Sequence, residues 1–408
     1  MNYAEKLGQQ AKAAEKSIAA ASAMVKNNAL EKIEAALRLN AEKILEANEA
    51  DLKAAKENGM SEAMQDRLRL TEQRINGIAD GVADVIKLED PIGSVDSGTV
   101  RPNGMSITKV RVPLGTIAII FESRPNVTVD AAVLCLKAGN AVILRGGKEA
   151  YHSNKCLCEI MRTAIKDAGL PEDVVQFVDD TSREVSAQLM KCNKYIDVLI
   201  PRGGAGLIRA CVENATVPVI ETGVGNCHVF VDATADADMA VKIVNNGKTR
   251  RVSVCNAVES LLVHKDIAEK FLPMIKAKLD EHNVEIRGCE KTRAILGDCV
   301  VPATDEDYAT EFLDYIISVK VVSSIDEAIE IANKSEYGLQ SSVFTQDIDK
   351  AFYIAKKLEV GTVQVNNKTE RGPDHFPFLG VKSSGMGTQG IKYSIESMSR
   401  PKAIVLNL

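Results

Sequence analysis

The chain of 408 residues carries 50 Lys and Arg against 56 Asp and Glu, which gives a net charge of −6 at pH 7. This balance argues against nucleic-acid binding as the main function, and the 45% of apolar and 26% of charged residues are typical of a globular protein. No apolar run approaches the length of about 18 residues that a transmembrane helix needs, and the N-terminal residues lack the apolar core of a secretory signal. We therefore predict a cytoplasmic protein of two or three domains that does not associate with membranes.

The cysteines indicate a reducing environment. Nine are present without the spacing of a disulfide framework, so they are expected to remain free thiols. Cys156 and Cys158 form a C-x-C pair, but the second cysteine pair of a zinc site is missing beside them. We predict no metal site.

The first part of the chain is predicted to be helical. Apolar residues such as Leu30 and Ile33 recur at helical spacing within residues 2–57, and Asn58-Gly59 ends this stretch. A second helical stretch is expected over 67–88. The heptad pattern is too short for a stable coiled coil, so the pattern favours helices packed on a domain surface.

From about residue 100 the pattern changes to strands. Alternation over 106–112 and an apolar segment over 402–408 predict two exposed strands that pair across a subunit boundary. A capping box at Thr181 and Glu184 predicts a helix start. Short apolar runs alternate with helical segments and predict buried parallel strands at 117–121, 141–145, 174–178, 196–200 and 217–220. A further α/β segment follows after about residue 230, so we predict an α/β fold with a doubly wound parallel sheet.

Two glycine-rich turns follow predicted strands and suit a phosphate-bearing ligand. Pro201-Arg-Gly-Gly-Ala-Gly206 lies before a predicted helix, whose N-terminus attracts phosphate while glycines let the backbone approach it. Leu144-Arg-Gly-Gly-Lys148 places two cations beside a glycine pair, and such cations bind the 2′-phosphate of NADP. From the residues alone, an ordinary solvated turn explains either segment equally well.

Among the cysteines, Cys255 has the context of a nucleophile. Lys248, Arg250 and Arg251 precede it, and an apolar run over 258–263 follows. Nearby cations lower the pKa of a thiol, and the thiolate is the nucleophilic form. The residues alone do not decide between a nucleophile and an inert thiol.

Six segments of the sequence share a likeness to one enzyme family, and one of them reads Glu122-Ser-Arg-Pro-Asn-Val-Thr-Val-Asp130. The segments are 109–115, 122–130, 139–147, 200–206, 217–228 and 307–322. They resemble the γ-glutamyl phosphate reductases (glutamate-5-semialdehyde dehydrogenases) of the aldehyde dehydrogenase superfamily. From about residue 331 the chain instead resembles the NADP-dependent non-phosphorylating glyceraldehyde-3-phosphate dehydrogenases.

The resemblance implies an aldehyde dehydrogenase-like α/β fold with a Rossmann-type cofactor domain, an α/β catalytic domain and a small β oligomerisation element. The expected NADP-binding domain comprises 1–100 and 117–225 with a return segment near 370–390, the catalytic domain comprises 226–369, and the oligomerisation element comprises 101–116 and 391–408.

The resemblance also implies residue roles. Cys255 matches the nucleophile, and Asn126 matches the residue whose side-chain amide forms an oxyanion hole with the backbone N–H of Cys255. Glu221 lies 34 residues before Cys255 and matches the base of hydrolytic members, although a reductase must keep water from its thioester. The expected cofactor-binding residues are Arg145, Lys148, Gly203, Gly204 and Glu311. The expected substrate-binding residues are Arg124, Lys368 and Arg371, whereas His228 and His375 are expected to be structural.

The implied reaction is the NADPH-dependent reduction of L-glutamyl 5-phosphate to glutamate-5-semialdehyde and phosphate through a cysteine thioester, in proline biosynthesis. The implied assembly is a homo-oligomer, a dimer or a tetramer, that associates with glutamate 5-kinase. Two alternatives stay open: a non-phosphorylating dehydrogenase of a small aldehyde, phosphorylated or not, and a catalytically poor oligomeric relative. The last is favoured by Gly247 and Val252, because glycine and the loss of a family proline are expected to loosen the approach to Cys255.

Overall fold

The computed structural model describes residues 1–221, 223–369, 376–385 and 388–407, with the side chains of 63, 205, 388 and 389 left aside. The chain folds into two compact units, one formed by Met1–Ile220 with Ile391–Leu408 and the other by Glu221–Gly390. The division into NADP-binding, catalytic and oligomerisation parts stays a prediction.

The described helices are α1 (Tyr3–Ala19), α2 (Ala23–Leu39), α3 (Ala41–Glu57), α4 (Glu62–Leu68), α5 (Glu72–Lys87), α6 (Asn126–Lys137), α7 (Tyr151–Asp167), α8 (Arg183–Met190), α9 (Ala205–Asn214), α10 (Ala237–Thr249), α11 (Lys265–Asp280), α12 (Glu290–Leu296), α13 (Ile325–Lys334), α14 (Ile348–Lys357) and α15 (Ile391–Ser397). The described strands are β1 (Val95–Val100), β2 (Ser106–Pro113), β3 (Thr116–Phe121), β4 (Ala141–Arg145), β5 (Val175–Phe177), β6 (Val198–Arg202), β7 (Cys227–Val231), β8 (Val258–His264), β9 (Glu285–Gly288), β10 (Val301–Pro302), β11 (Ile316–Val322), β12 (Tyr337–Gly338), β13 (Gln340–Phe344), β14 (Thr362–Val365), β15 (Phe378–Leu379), β16 (Val381–Lys382), β17 (Thr388–Gln389) and β18 (Ser399–Leu406).

The predicted helix over 2–57 is three helices in the structure. Ser22 caps α2 by accepting a hydrogen bond from the N–H of Val25, and Asn40 separates α2 from α3. The apolar stripe holds, since Leu30 and Ile33 are fully buried. At the end of α3, Gly59 adopts a φ of 71°, the left-handed conformation that ends helices.

The first unit contains a four-stranded parallel sheet in the order β5-β4-β3-β6. All six residues of β3 are buried because the sheet has a core on each face: Ile117 and Ile119 pack in one cluster, Ala118 and Ile120 in the other. The strands predicted within this sheet are confirmed with shifted ends. The expected strand 217–220 is wrong, because the segment only forms an isolated bridge through Val219.

One local prediction in this unit needs correction, and a second is met in part. The helix α8 is capped by Ser182, whose hydroxyl accepts the N–H of Val185, so the expected Thr181–Glu184 capping box is one residue out of place. The predicted exposed strands form an antiparallel sheet β1-β2-β18 within the chain, with Ser399 opposite Pro113 and Leu406 opposite Ser106. Pairing across a subunit boundary stays a prediction.

The second unit is built on a seven-stranded parallel sheet in the order β10-β9-β11-β8-β7-β13-β14. Alternate residues of β7 enter different cores: Val229 and Val231 pack with α10 and α11, whereas Phe230 packs with α13 and α14. Helices therefore cover both faces, and the predicted doubly wound α/β fold is confirmed. No helix in the described ranges combines the length and apolarity that crossing a membrane requires.

Candidate active site

Cys255 lies in the connection between α10 and β8 in the second unit. Its side chain is half-buried beside the apolar cluster of Cys227, Leu339 and Phe378. Its carbonyl oxygen accepts a hydrogen bond from the thiol of Cys227 at 3.5 Å. The predicted nucleophile is therefore held at its backbone by a buried neighbour on β7.

Gly225 presses against the same carbonyl group. A Cβ atom on Gly225 would lie 2.0 Å from the carbonyl oxygen of Cys255 and 2.7 Å from Cδ2 of Leu339. These distances leave no room for a side chain, so only glycine fits between the two segments. Glu221 opens the same segment, is half-buried, and packs through its carbonyl group against Gly385.

The structure brings Glu311, a predicted cofactor-binding residue, to this segment. Its Oε1 accepts a hydrogen bond from the backbone N–H of Gly225 at 3.1 Å. Gly225 thus contacts the predicted nucleophile on one side and Glu311 on the other. Sequence analysis did not single out Gly225, because the need for glycine comes from a segment 30 residues away in the chain.

Lys248 does not act on Cys255 in the way the sequence predicts. Its Nζ lies 2.7 Å from Oε2 of Glu259, and both side chains are wholly buried. Burial raises the pKa of Glu259 and lowers the pKa of Lys248, since both ions lose water, while the ion pair opposes both shifts. The charge of Lys248 is therefore matched by Glu259 within a buried pair, and an effect of Lys248 on Cys255 stays a prediction.

The expected looseness before Cys255 is also not observed at Gly247. This residue belongs to α10, and a Cβ on it would lie 2.8 Å from Cγ2 of Val258. Gly247 therefore permits close packing of α10 on β8 instead of loosening a loop.

The C-terminal part of this unit contributes a further anchor. Thr369 is 1% exposed, and its hydroxyl donates to the carbonyl oxygen of Asn256 at 2.8 Å. The predicted substrate-binding residue Lys368 precedes it and is half-buried. Arg371 and His375 lie outside the described residues.

In the first unit, the predicted phosphate-binding turn precedes α9. The backbone N–H of Gly204 donates to Oε2 of Glu122 at 2.8 Å, and a Cβ on Gly203 would lie 2.6 Å from the same oxygen. Glu122 therefore occupies the positive end of α9, where an anion is expected. The sequence shows that Glu122 belongs to a segment that resembles the reductase family, but it does not predict that its carboxylate lies at the N-terminus of α9.

Arg145 and Lys148, the other predicted phosphate ligands, differ in exposure. Lys148 is exposed, whereas the guanidinium group of Arg145 donates to the carbonyl oxygens of Thr181 at 2.7 Å and Gly146 at 3.1 Å. Among the described residues, Nε of Arg145 and Nδ2 of Asn154 are buried without a hydrogen-bond partner.

Asn126 begins α6, and its Nδ2 donates to Oδ2 of Asp130 at 2.9 Å. A carboxylate only accepts hydrogen bonds, so Asp130 fixes which end of the amide faces it. Arg124 is half-buried, and its backbone N–H donates to the carbonyl of Glu122 at 2.6 Å. Asp130 is a residue that sequence reasoning did not assign to the site.

His228 has a structural role, as expected. Its ring nitrogens lie 3.1 Å from the carbonyl oxygen of Asn226 and 3.0 Å from that of Tyr308. Burial lowers the pKa of His228 to about 4, so the ring is neutral near pH 7. Across the described ranges, no group of three or more His, Cys, Asp or Glu side chains is arranged to hold a metal ion.

Comparison with known proteins identifies the lineage. The sequence pattern of the Aldehyde dehydrogenase family matches residues 2–294 and 300–404. The γ-glutamyl phosphate reductase of Heliobacterium modesticaldum is 52% identical over 382 residues, which cover 94% of this chain and 91% of the relative. That of Clostridium perfringens is 53% identical over 382 residues, with 94% and 92% covered.

Solved structures agree with this. The γ-glutamyl phosphate reductase of Thermotoga maritima is 41% identical with a TM-score of 0.92, covering 100% of this chain and 99% of the other. An NADP-dependent glyceraldehyde-3-phosphate dehydrogenase of Bacillus halodurans, solved with NADP, is 26% identical with a TM-score of 0.77, covering 99% and 91%. The resemblance to the γ-glutamyl phosphate reductases is confirmed. The expectation that it ends at about residue 331 is wrong, because the match to the reductases covers 94% of the chain.

Proposed function

Because this chain belongs to the aldehyde dehydrogenase family, we propose that it reduces L-glutamyl 5-phosphate with NADPH to glutamate-5-semialdehyde and phosphate, a step of proline biosynthesis. The observation that carries this proposal is the identity of about half of all residues to γ-glutamyl phosphate reductases along 94% of the chain. The position of Cys255 between two fixed backbone contacts supports it.

Cys255 is the proposed nucleophile. Its thiolate attacks the acyl carbon of the mixed anhydride, the C–O bond to phosphate breaks, and an enzyme thioester and inorganic phosphate result. The contacts of its carbonyl group with Cys227 and Gly225 restrict the position of its backbone.

Asn126 is the proposed side-chain donor to the oxyanion that forms during this attack. Its amide has two N–H bonds, and one of them is directed to Asp130, which leaves the other for the oxyanion. A single donor of this kind typically contributes roughly 10²- to 10³-fold in rate. The backbone N–H of Cys255 is the proposed second donor.

The residues around α9 and α7 fit a phosphate-bearing dinucleotide. The glycines at 203 and 204 let an anionic group approach the N-terminus of α9, where a phosphate would displace the carboxylate of Glu122 from the N–H of Gly204. Gly203, Gly204, Arg145 and Lys148 would hold the phosphates of NADP(H), and Glu311 would bind a ribose hydroxyl. When bound, NADPH supplies the hydride that converts the thioester to the aldehyde.

Glu221 matches the residue that acts as the base in hydrolytic members of the superfamily, but a different role is proposed for it in this chain. Water attack on the thioester would release glutamate and waste the acyl group. A carboxylate activated as a base would speed that loss, so we assign Glu221 to the support of the segment that contains Gly225. Arg124, Lys368 and Arg371 are the proposed ligands of the substrate carboxylate.

The reverse reaction tests the proposal. Purified protein is mixed with glutamate-5-semialdehyde and NADP, with and without inorganic phosphate, and the absorbance of the reduced cofactor is followed. We expect a phosphate-dependent signal that Cys255→Ala abolishes. Cys299→Ala is the matched control, because Cys299 is an exposed thiol on another segment. A signal that needs no phosphate would contradict the proposal.

The same assay tests the second candidate, a non-phosphorylating aldehyde dehydrogenase. It is favoured by the 26% identity to a glyceraldehyde-3-phosphate dehydrogenase along 99% of the chain. That function predicts faster reduction of NADP with glyceraldehyde-3-phosphate than with the semialdehyde, without phosphate. It also predicts that Glu221→Gln abolishes turnover.

A further inference from the structure

A buried ion pair spans the connection that carries Cys255. Lys248 lies in the last turn of α10, and Glu259 is the second residue of β8. Their charged atoms are 2.7 Å apart, and neither side chain is exposed. The Lys248–Glu259 pair therefore fixes the two ends of the connection against each other.

The carboxylate of Glu259 also forms a hydrogen bond with the segment that contains Glu311. Its Oε1 accepts a hydrogen bond from the backbone N–H of Leu313 at 3.2 Å. Leu313 has a φ of 54°, a left-handed conformation that is unfavourable for a residue with a side chain. The hydrogen bond thus stabilises a strained turn two residues after Glu311.

The two segments that Glu259 joins meet again at Gly225. Glu311 accepts the N–H of Gly225 at 3.1 Å, and the Cα of Gly225 packs against the carbonyl oxygen of Cys255. A closed set of contacts therefore links the ion pair, the turn of Glu311 and the backbone of Cys255. Every member of this set lies within the second unit.

We infer that the Lys248–Glu259 pair is a positioning device that fixes the backbone of Cys255 and the carboxylate of Glu311 relative to each other. The inference rests on the proposed function, in which these two residues are the nucleophile and the ribose ligand. Lys248 and Glu259 touch neither substrate nor cofactor in this account. They act through the two segments that they join.

A contribution to fold stability does not by itself explain why the chain buries this ion pair. Removing two charges from water costs about as much as their attraction returns, so well-packed apolar residues of similar volume often stabilise a protein equally or better. A structural role therefore predicts that an apolar replacement of both residues is harmless. A positioning role predicts that the same replacement leaves the fold intact and damages the site.

The double variant Lys248→Met/Glu259→Leu separates these two roles. We expect the variant to fold, with a melting temperature lowered only by the loss of the hydrogen bond that Glu259 accepts from Leu313. We expect kcat of the phosphate-dependent reaction to fall by about 10-fold or more, with KM for the aldehyde little changed, because a misplaced reacting group lowers turnover. The alkylation of Cys255 by iodoacetamide, followed by peptide mass spectrometry, is expected to slow by a similar factor.

A second double variant isolates the contact with Leu313. Lys248→Met/Glu259→Gln keeps a carbonyl oxygen that accepts the N–H of Leu313, so it is expected to recover part of the lost turnover. If the first variant does not fold, the turnover and the alkylation rate of this second variant decide between the structural and the positioning role. The control is Lys26→Met/Asp90→Leu, which removes an ion pair with a buried lysine and a half-buried aspartate, 2.5 Å apart, from the first unit. This control is expected to leave the alkylation of Cys255 unchanged.

A folded Met/Leu variant with wild-type turnover and a wild-type alkylation rate would overturn the positioning role. The alkylation ratio between variant and wild type needs no substrate. If the wild type showed no phosphate-dependent turnover, the proposed function would fail, while a slower Cys255 in the variant would still support the positioning role.

Discussion

Replacing Gly225 with alanine is expected to disable turnover while the protein still folds. The added Cβ would lie 2.0 Å from the carbonyl oxygen of Cys255, a backbone atom that cannot rotate away. Real Cβ contacts begin near 3.0 Å, so one of the two segments must move by about 1 Å. Misplacement of a reacting group by about 1 Å costs roughly 10²-fold in rate.

The assay is the phosphate-dependent oxidation of glutamate-5-semialdehyde, with melting temperature as the measure of folding. We expect kcat of Gly225→Ala to fall by about 100-fold. The backbone φ of Gly225 is not in the left-handed region, so the effect is steric and not conformational.

The matched control is Gly77→Ala on α5, where an added Cβ meets no atom within 4 Å. The same chemical change there is expected to leave turnover unchanged and to stabilise the helix by about 0.5–1 kcal/mol. A folded Gly225→Ala protein with turnover within two-fold of the wild type would refute the role of this contact.

Three further predictions concern pH, the cofactor and the C-terminal anchor. Because burial lowers the pKa of His228 from 6.5 to about 4, the folded state binds fewer protons than the unfolded state between these values, and stability is lost as the pH falls through this window. From pH 6.5 to pH 5 this loss is about 1.6 kcal/mol, so urea unfolding should show a steeper acid sensitivity for the wild type than for His228→Gln. Equal sensitivity would contradict the assignment. Lys148→Met is expected to raise KM for NADPH by about 10-fold and to leave KM for NADH nearly unchanged, because the exposed ammonium group is placed to bind a phosphate. Equal effects on both cofactors would exclude the 2′-phosphate of NADPH as the ligand of Lys148. Thr369→Val removes the donor to the carbonyl of Asn256 and should cost about 1 kcal/mol of stability and several-fold in kcat, whereas Thr163→Val on the exposed face of α7 should change neither.

The architecture was largely predictable because hydrophobic periodicity reports burial directly. The apolar runs 117–121 and 141–145 are strands of a parallel sheet, and both faces of that sheet are covered. Breaks between helices were harder to predict. The apolar stripe continues through Ser22 and Asn40. Only the N-cap hydrogen bond of Ser22 and the bond from the Asn40 amide to the carbonyl of Ala36 mark the two interruptions within 2–57.

The site was predictable where a residue type itself carries the chemistry, and less so where packing decides. Cys255 stands out by its basic approach, whereas Gly225 matters only because the carbonyl group of Cys255 faces it. Glu259 did carry a signal. A charged residue inside the apolar run 258–263 of a buried strand requires a buried partner, and Lys248 is the cation that meets it.

The sheet β1-β2-β18 makes the order of synthesis important for this chain. The first unit is interrupted by the whole of the second, so its last strand is translated only after residue 390. At a synthesis rate of about 5–20 residues per second, the edge of β2 waits roughly 15–60 seconds for β18, which begins 286 residues after the end of β2. Arg111 on β2 waits with it, because its guanidinium group donates to the carbonyl of Glu396 and the hydroxyl of Ser399. During that interval the nascent chain exposes an unpaired strand edge, so a pause in translation between the two units would prolong its exposure to aggregation.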